Sequence, residues 1–124
     1  MRAKRLRPAY RSDELSRIYS SPYDHSRWIE HQLRIRVTSA LANHVIDLHR
    51  DRVGADLACG DGSLLRSLNL TERHFGDLNL ADDVVSQPVV STSLSLQYRG
   101  FIENNINKLP QVDVFVITET IEHL

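Results

Sequence analysis

The sequence predicts an α/β fold built on a parallel sheet. Three observations predict it. The chain alternates short β-branched runs with helical segments over residues 53–124. The hydrophobic period changes at Asp51, from helical to strand-like. The run Val112-Asp-Val-Phe-Val-Ile-Thr118 is nearly continuous in apolar, β-branched residues, as expected of a strand covered on both faces.

The elements follow in order. Residues 1–11 are basic and lack a helical stripe. Ser12 can cap a short helix through Tyr19, with Asp13 and Glu14 at its positive end. Ser20-Ser21-Pro22 breaks it, and Asp24 or Ser26 can cap a long helix running to about Arg50. Leu33, Val37, Leu41, Val45 and Leu48 form a stripe on that helix, which must pack on something. Val53–Ala58 reads as a strand, Cys59–Gly62 as a turn and Ser63–Leu68 as a helix. His74–Asp77 reads as a second strand, Leu80–Gln87 as a helix stopped by Pro88, and Tyr98–Ile102 as a third strand. Lys108-Leu109-Pro110 is a turn. Val112–Thr118 is the fourth strand, and the residues after it start another helix.

The 124 residues bound the chain to one domain at most. Hydrophobic residues at 41% and charged residues at 25% exclude a wholly disordered or collagenous chain. No apolar run approaches the ~18 residues of a membrane span, and no apolar core follows the basic N-terminus as in a secretory signal. A single cysteine, Cys59, excludes an internal disulfide, and the expected compartment is the reducing cytoplasm. Charge is uneven. Residues 1–50 carry ten Lys and Arg against five Asp and Glu, and residues 51–124 carry five against eleven. Arg2, Lys4, Arg5, Arg7 and Arg11 form an arm that could meet nucleic acid, although a solvated terminus is the preferred reading.

The informative stretch is Asp56-Leu-Ala-Cys-Gly-Asp-Gly-Ser63. A strand delivers the chain to a turn where Gly60 and Gly62 let backbone approach a ligand closely. The acid at the strand end disfavours a pyrophosphate and favours a ligand carrying an ammonium group. S-adenosylmethionine carries one, together with a sulfonium.

Here the sequence resembles the class I, Rossmann-like S-adenosylmethionine-dependent methyltransferases, whose first motif reads roughly Asp-x-Gly-x-Gly-x-Gly. Asp56, Ala58, Gly60 and Gly62 stand in those places, with Ala58 departing from the usual glycine. Asp77 ends Phe75-Gly76-Asp77-Leu78, 21 residues after Asp56, where the family places its ribose-binding acid. In Gly100–Pro110, Asn105 stands before Ile106 where the family most often has an Asp that reaches the adenine amino group. Asp113–Leu124 resembles the fourth strand and the E-x-x-E-H start of the next helix. The four segments occur in family order over residues 53–124.

The resemblance implies a Rossmann-like sheet with helices on both faces and an N-terminal helical extension. It implies cofactor contacts at Asp56, Ala58, Cys59, Gly60, Gly62, Asp77, Leu78, Asn105, Ile106 and Thr118. Residues 1–50 are expected to form the basic arm and helical extension. Residues 51–124 are expected to form the cofactor-binding half of the domain, ending after the fourth strand, so that the sheet is incomplete or is finished by a partner chain.

Glu119, Glu122 and His123 would share one helix face at i, i+3 and i+4. They are the catalytic candidates and could hold Mg2+, Mn2+ or Zn2+, as in small-RNA and ubiquinone-pathway O-methyltransferases that the segment resembles. The metal would then hold an acceptor hydroxyl and ease its deprotonation. The other reading of these residues is a plain helix start. His25, His31, His44 and His49 lack compact ligand spacing, and a solvated helix face suits them better than a substrate pocket. Cys59 reads as a packing residue.

The expected function is methyl transfer to an unidentified acceptor, with no membrane involved. The alternatives are a non-catalytic interaction module or half of a split assembly, and a nicotinamide-binding domain. The last is disfavoured by Leu65 at the third glycine of G-x-G-x-x-G and by Asp56 before the turn.

Overall fold

A computed structural model describes residues 29–80, 82–86 and 94–117. Helix α1 spans Ile29–His49. Strand β1 is Val53–Asp56, helix α2 Ser63–Arg66 and strand β2 Glu72–Asp77. Strand β3 is Leu94–Arg99, helix α3 Ile102–Asn105 and strand β4 Val114–Phe115. The four strands form one parallel sheet in the order β3-β2-β1-β4. The fold is α/β and Rossmann-like, with the order stepping away from β1 in both directions.

No Gly or Pro interrupts the 21 residues of α1. Its end is built by Arg50 at φ 56°, which lets the Asp51 N–H reach the Ile46 carbonyl at 3.0 Å. This six-to-one closure is a Schellman motif made without its usual glycine.

The structure shows which face of α1 meets the sheet. Ile46 is buried, Ile35 and Ala42 pack against the core, and the stripe Leu33, Val37, Leu41, Val45 and Leu48 is exposed. Val37 and Ile46 are nine residues apart, which at 3.6 residues per turn sets them on opposite faces. The helix therefore offers apolar side chains on two faces. The sheet side takes the face where Ala42 permits close approach and Asn43 makes two hydrogen bonds. The Asn43 amide donates to the Ser67 carbonyl at 2.9 Å and accepts from the Asn69 N–H at 2.7 Å.

The core lies on one face of the sheet. Phe75 from β2 meets Leu64, Leu65 and Leu68 of α2 and its exit, with Leu70, Leu80 and Val84 around them and Val114 and Val116 alongside. At Gly54 a Cβ would stand 2.3 Å from the Leu70 Cδ1, so any larger residue would have to displace that buried side chain. Arg73 lies fully buried on the same face and closes α2. Its Nε donates to the Leu65 carbonyl at 3.1 Å and its Nη2 to the Leu68 carbonyl. Burial lowers its pKa below the usual guanidinium range. On the opposite face His74 is held between Tyr98 Oη and Glu72 Oε2, each at 2.8 Å. Burial, and then the Glu72 charge, raises the Tyr98 pKa above 10.0.

Other elements differ from expectation: β1 ends at Asp56 rather than Ala58, α2 ends at Arg66 rather than Leu68, and β2 starts at Glu72 rather than His74. The third strand is Leu94–Arg99 rather than 98–102, because Gly100 turns the chain at φ 109°. Among the described residues between Leu80 and Ser86 only a 3-10 turn forms, at Val84–Ser86. Two aspartates and two valines are weak helix formers, and a short helix has little to offset its nucleation cost. The ladder of the fourth strand covers Val114–Phe115, extended by hydrogen bonds from Asp113 N to Val53 O and from Val116 N to Ala55 O, both at 2.8 Å. Thr118 and the expected following helix lie outside the described residues, as do the arm and the helix expected at Ser12–Tyr19. Among the described residues, no helix is long and apolar enough to cross a membrane.

Candidate functional site

The carboxyl ends of β1 and β2 lie side by side, and the turn after β1 folds over the end of β2. Parallel pairing sets Asp56 beside Phe75, with Asp77 two residues further along β2. Asp56 is buried and folds back on its own turn, where Oδ1 accepts the Ala58 N–H at 3.1 Å. The Cys59 N–H donates to the Gly76 carbonyl at 2.8 Å, and the Gly60 N–H donates to Asp77 Oδ2 at 2.8 Å. Both glycines of the turn have left-handed backbone, Gly60 at φ 58° and Gly62 at φ 80°. At Gly62 space is also closed. A Cβ there would stand 2.7 Å from Arg66 Nη1 and 2.9 Å from Val84 Cγ2.

Sequence reasoning singled out Asp56, Ala58, Cys59, Gly60, Gly62, Asp77 and Leu78, and these residues fall in or beside this one turn. Leu78 follows Asp77 in a half-buried bend. Asn105 and Ile106 are separate from the turn in chain position. Asn105 ends α3 and is buried, and its amide donates to the Arg99 carbonyl at 2.9 Å, which closes the bend after β3. Ile106 is exposed. Thr118, Glu119, Glu122 and His123 lie outside the described residues. Among the described residues, no group of three His, Cys, Asp or Glu side chains is placed to hold a metal ion. His31 bonds to Arg34 on α1 at 2.7 Å, and His44 and His49 are exposed.

The turn is electronegative. Asp56, Asp77 and Asp61 each push the Cys59 pKa upward, after the larger effect of burial, and the thiol titrates well above its ordinary 9.0. Cys59 therefore stays protonated near neutral pH and packs in the core, with its thiol directed at the Gly60 carbonyl at 3.7 Å. Asp61 also occupies the start of α2. Its Oδ1 accepts from the Ser63 N–H at 3.0 Å and from the Ser63 hydroxyl at 2.6 Å. The Ser63 N–H, which in a nucleotide-binding turn would face a phosphate, is thus met here by a side-chain carboxylate, and the Gly62 N–H by the Cys59 carbonyl.

Two residues of this region were missed. Gly76 is where the turn crosses β2. A Cβ there would lie 2.7 Å from Leu57 Cδ2 and 3.0 Å from the Leu57 Cα. A glycine inside a strand is the signal for such a close approach. Asn79 donates its backbone N–H to Asp77 Oδ1 at 3.3 Å, while its side-chain Nδ2 is buried without a hydrogen-bond partner. Nothing in the sequence pattern marks it.

The chain matches no protein-family model, no curated protein and no solved structure. The geometry of the turn is therefore the basis for reading its chemistry.

Proposed function

We propose that the chain carries the cofactor-binding segment of an S-adenosylmethionine-dependent methyltransferase. The observation that carries this reading is the pair of strand-end carboxylates, Asp56 and Asp77, flanking a left-handed two-glycine turn. Their negative field, joined by Asp61, favours a cationic ligand. The side chain of Asp61 at the start of α2 disfavours a pyrophosphate. Asp77 accepts one backbone N–H on each oxygen, which leaves each a further lone pair for a hydroxyl. Vicinal ribose hydroxyls fit that carboxylate. The buried Asn79 amide adds a donor suited to a ligand acceptor atom.

The cofactor would supply an electrophilic methyl group on its sulfonium. The chain's own part would be to bind and orient, and proximity would provide most of the acceleration. Glu119, Glu122 and His123 are proposed to stand at the methyl-transfer end, with Mg2+, Mn2+ or Zn2+ as the ion they would hold for a hydroxyl acceptor. That part rests on sequence spacing alone.

Calorimetry with S-adenosylmethionine, S-adenosylhomocysteine and NAD tests the reading. Binding of the sulfur ligands is expected, and Gly60→Val abolishes it. Asp77→Ala costs at least tenfold in affinity, since hydrogen bonds to a charged group are worth about 1.5–3 kcal/mol each. Asp77→Asn, which keeps an acceptor for Gly60, separates lost charge from lost turn geometry. Binding of NAD with neither sulfur ligand overturns the proposal.

A further inference from the structure

Among the described residues, none covers an apolar ridge along helix α1. Ile29, Leu33, Val37, Leu41, Val45 and Leu48 are between 47% and 71% exposed. The first five follow each other at i+4, the ridge spacing that interlocks with a second helix. From Ile29 to Leu48 the ridge runs ~28 Å at 1.5 Å per residue. Six such side chains present on the order of several hundred Å2, the size of the largest apolar patch ordinary monomers carry.

We propose that this ridge is a homodimer interface in which α1 packs antiparallel against α1 of a second copy. Three observations choose this occupant. The first is area: two copies of the patch reach roughly the 1,000 Å2 that a specific interface requires. The second is length. The other helix that the sequence predicts before α1, Ser12–Tyr19, would cover only ~12 Å of the ridge at the same rise. The basic arm ahead of it would also meet Arg34 and Arg36 of α1 with like charge. The third is charge within α1. A parallel pair would set Arg34 and Arg36 of both copies at one level. An antiparallel pair carries them to opposite ends and brings the Arg36 flank of each copy toward Asp47 of the other. Val37 of one helix then lies beside Leu41 of the other, and Leu33 beside Val45. Ala40, on the same face, permits close approach at the centre.

Sedimentation equilibrium on the full chain tests this. A dimer at tens of micromolar is expected. Val37→Asp with Leu41→Asp gives a monomer whose circular dichroism is unchanged, because neither side chain is in the core. Arg36→Asp weakens association several-fold, and Asp47→Arg added to it restores association. A wild-type chain that is monomeric at about 200 µM overturns the proposal. So does a dimer that survives the double substitution, or an Arg36→Asp defect that Asp47→Arg deepens. Binding of α1 to phosphatidylcholine–phosphatidylserine vesicles in place of self-association also overturns it.

Discussion

The turn after β1 and the helix before it present opposite relations between pattern and packing. The turn holds no periodic signal, yet its small residues and acids are placed by many specific contacts: Asp56 to Ala58, Gly60 to Asp77, Cys59 to Gly76 and Asp61 to Ser63. Helix α1 has a clear apolar period, yet its most regular stripe is the exposed one. Periodicity reports that a face exists. It does not report which of two faces the sheet takes, because that depends on fit at the contact. In α1 the contact goes to Ala42, Asn43 and Ile46, where small size and two hydrogen bonds outweigh the longer row of Leu and Val. The two regions should therefore respond very differently to substitution.

The largest difference is expected between Gly62→Val and Val37→Thr. A valine at φ 80° is strained, and its Cβ would enter space held by Arg66, Val84 and Phe75. Strain and overpacking together cost about 3 kcal/mol. Val37→Thr, on the exposed ridge, costs within about 0.5 kcal/mol in the monomer. Urea unfolding of both variants at low concentration gives the comparison. Equal losses would mean that the ridge is packed and the contrast is false.

A smaller effect is expected where the helix meets the turn's supporting elements. Asn43→Ala removes the donor to Ser67 and the acceptor for Asn69, for a loss of about 1–2 kcal/mol. Leu41→Ala, two residues away on the other face, leaves monomer stability nearly unchanged. If Leu41→Ala proves the more damaging at low concentration, the exposed stripe is the docking face after all.

How far the sequence was readable follows from the same contrast. The parallel α/β sheet is as predicted, β1 and β2 overlap their predicted segments with β1 two residues shorter and β2 two residues longer, and Asp56, Gly60, Gly62 and Asp77 lie in or beside one turn. These are local signals: β-branched runs, an acid at a strand end, glycines at a bend. The start of β3 was hidden by a serine-rich stretch, although Leu94-Ser95-Leu96-Gln97-Tyr98 does alternate. Gly100 then moved its end forward. Asn105 was singled out for its carbonyl oxygen as an acceptor, and its amide nitrogen has a structural role at the Arg99 carbonyl as well. That role depends on how α3 folds back, which no spacing in the chain encodes. The unpartnered amide of Asn79 is likewise a tertiary fact.

Arg50 offers an improvement rather than a loss. It holds φ 56° at the C′ position of α1, where glycine is the residue without steric cost. Arg50→Gly is expected to stabilise the fold by about 1 kcal/mol, and Arg50→Val to destabilise it by a comparable amount. Both are read from the denaturation midpoint. A glycine that destabilises would show that the Arg50 side chain contributes a contact worth more than the backbone strain.

The smallest effect expected is the pH dependence of Asp113, at the entry to β4. Its Oδ2 accepts the Arg52 N–H at 2.8 Å and the Val53 N–H at 3.0 Å, which ties β4 to the start of β1, at the end of the strand away from the Cys59–Gly62 turn. Those two backbone hydrogen bonds favour the ionised form and lower the Asp113 pKa below its ordinary 3.8. A carboxylate with a depressed folded pKa contributes stability that is fully present above the unfolded value. That contribution is lost as pH falls through the lowered folded value. Asp113 is solvent-exposed, so water and salt screen the effect and it stays small. The expected result is a wild-type midpoint above that of Asp113→Asn near neutral pH, with the gap narrowing once pH drops below about 3.8. A gap that is constant through that range would mean the carboxylate's charge is irrelevant and only its shape as an acceptor holds the strands together.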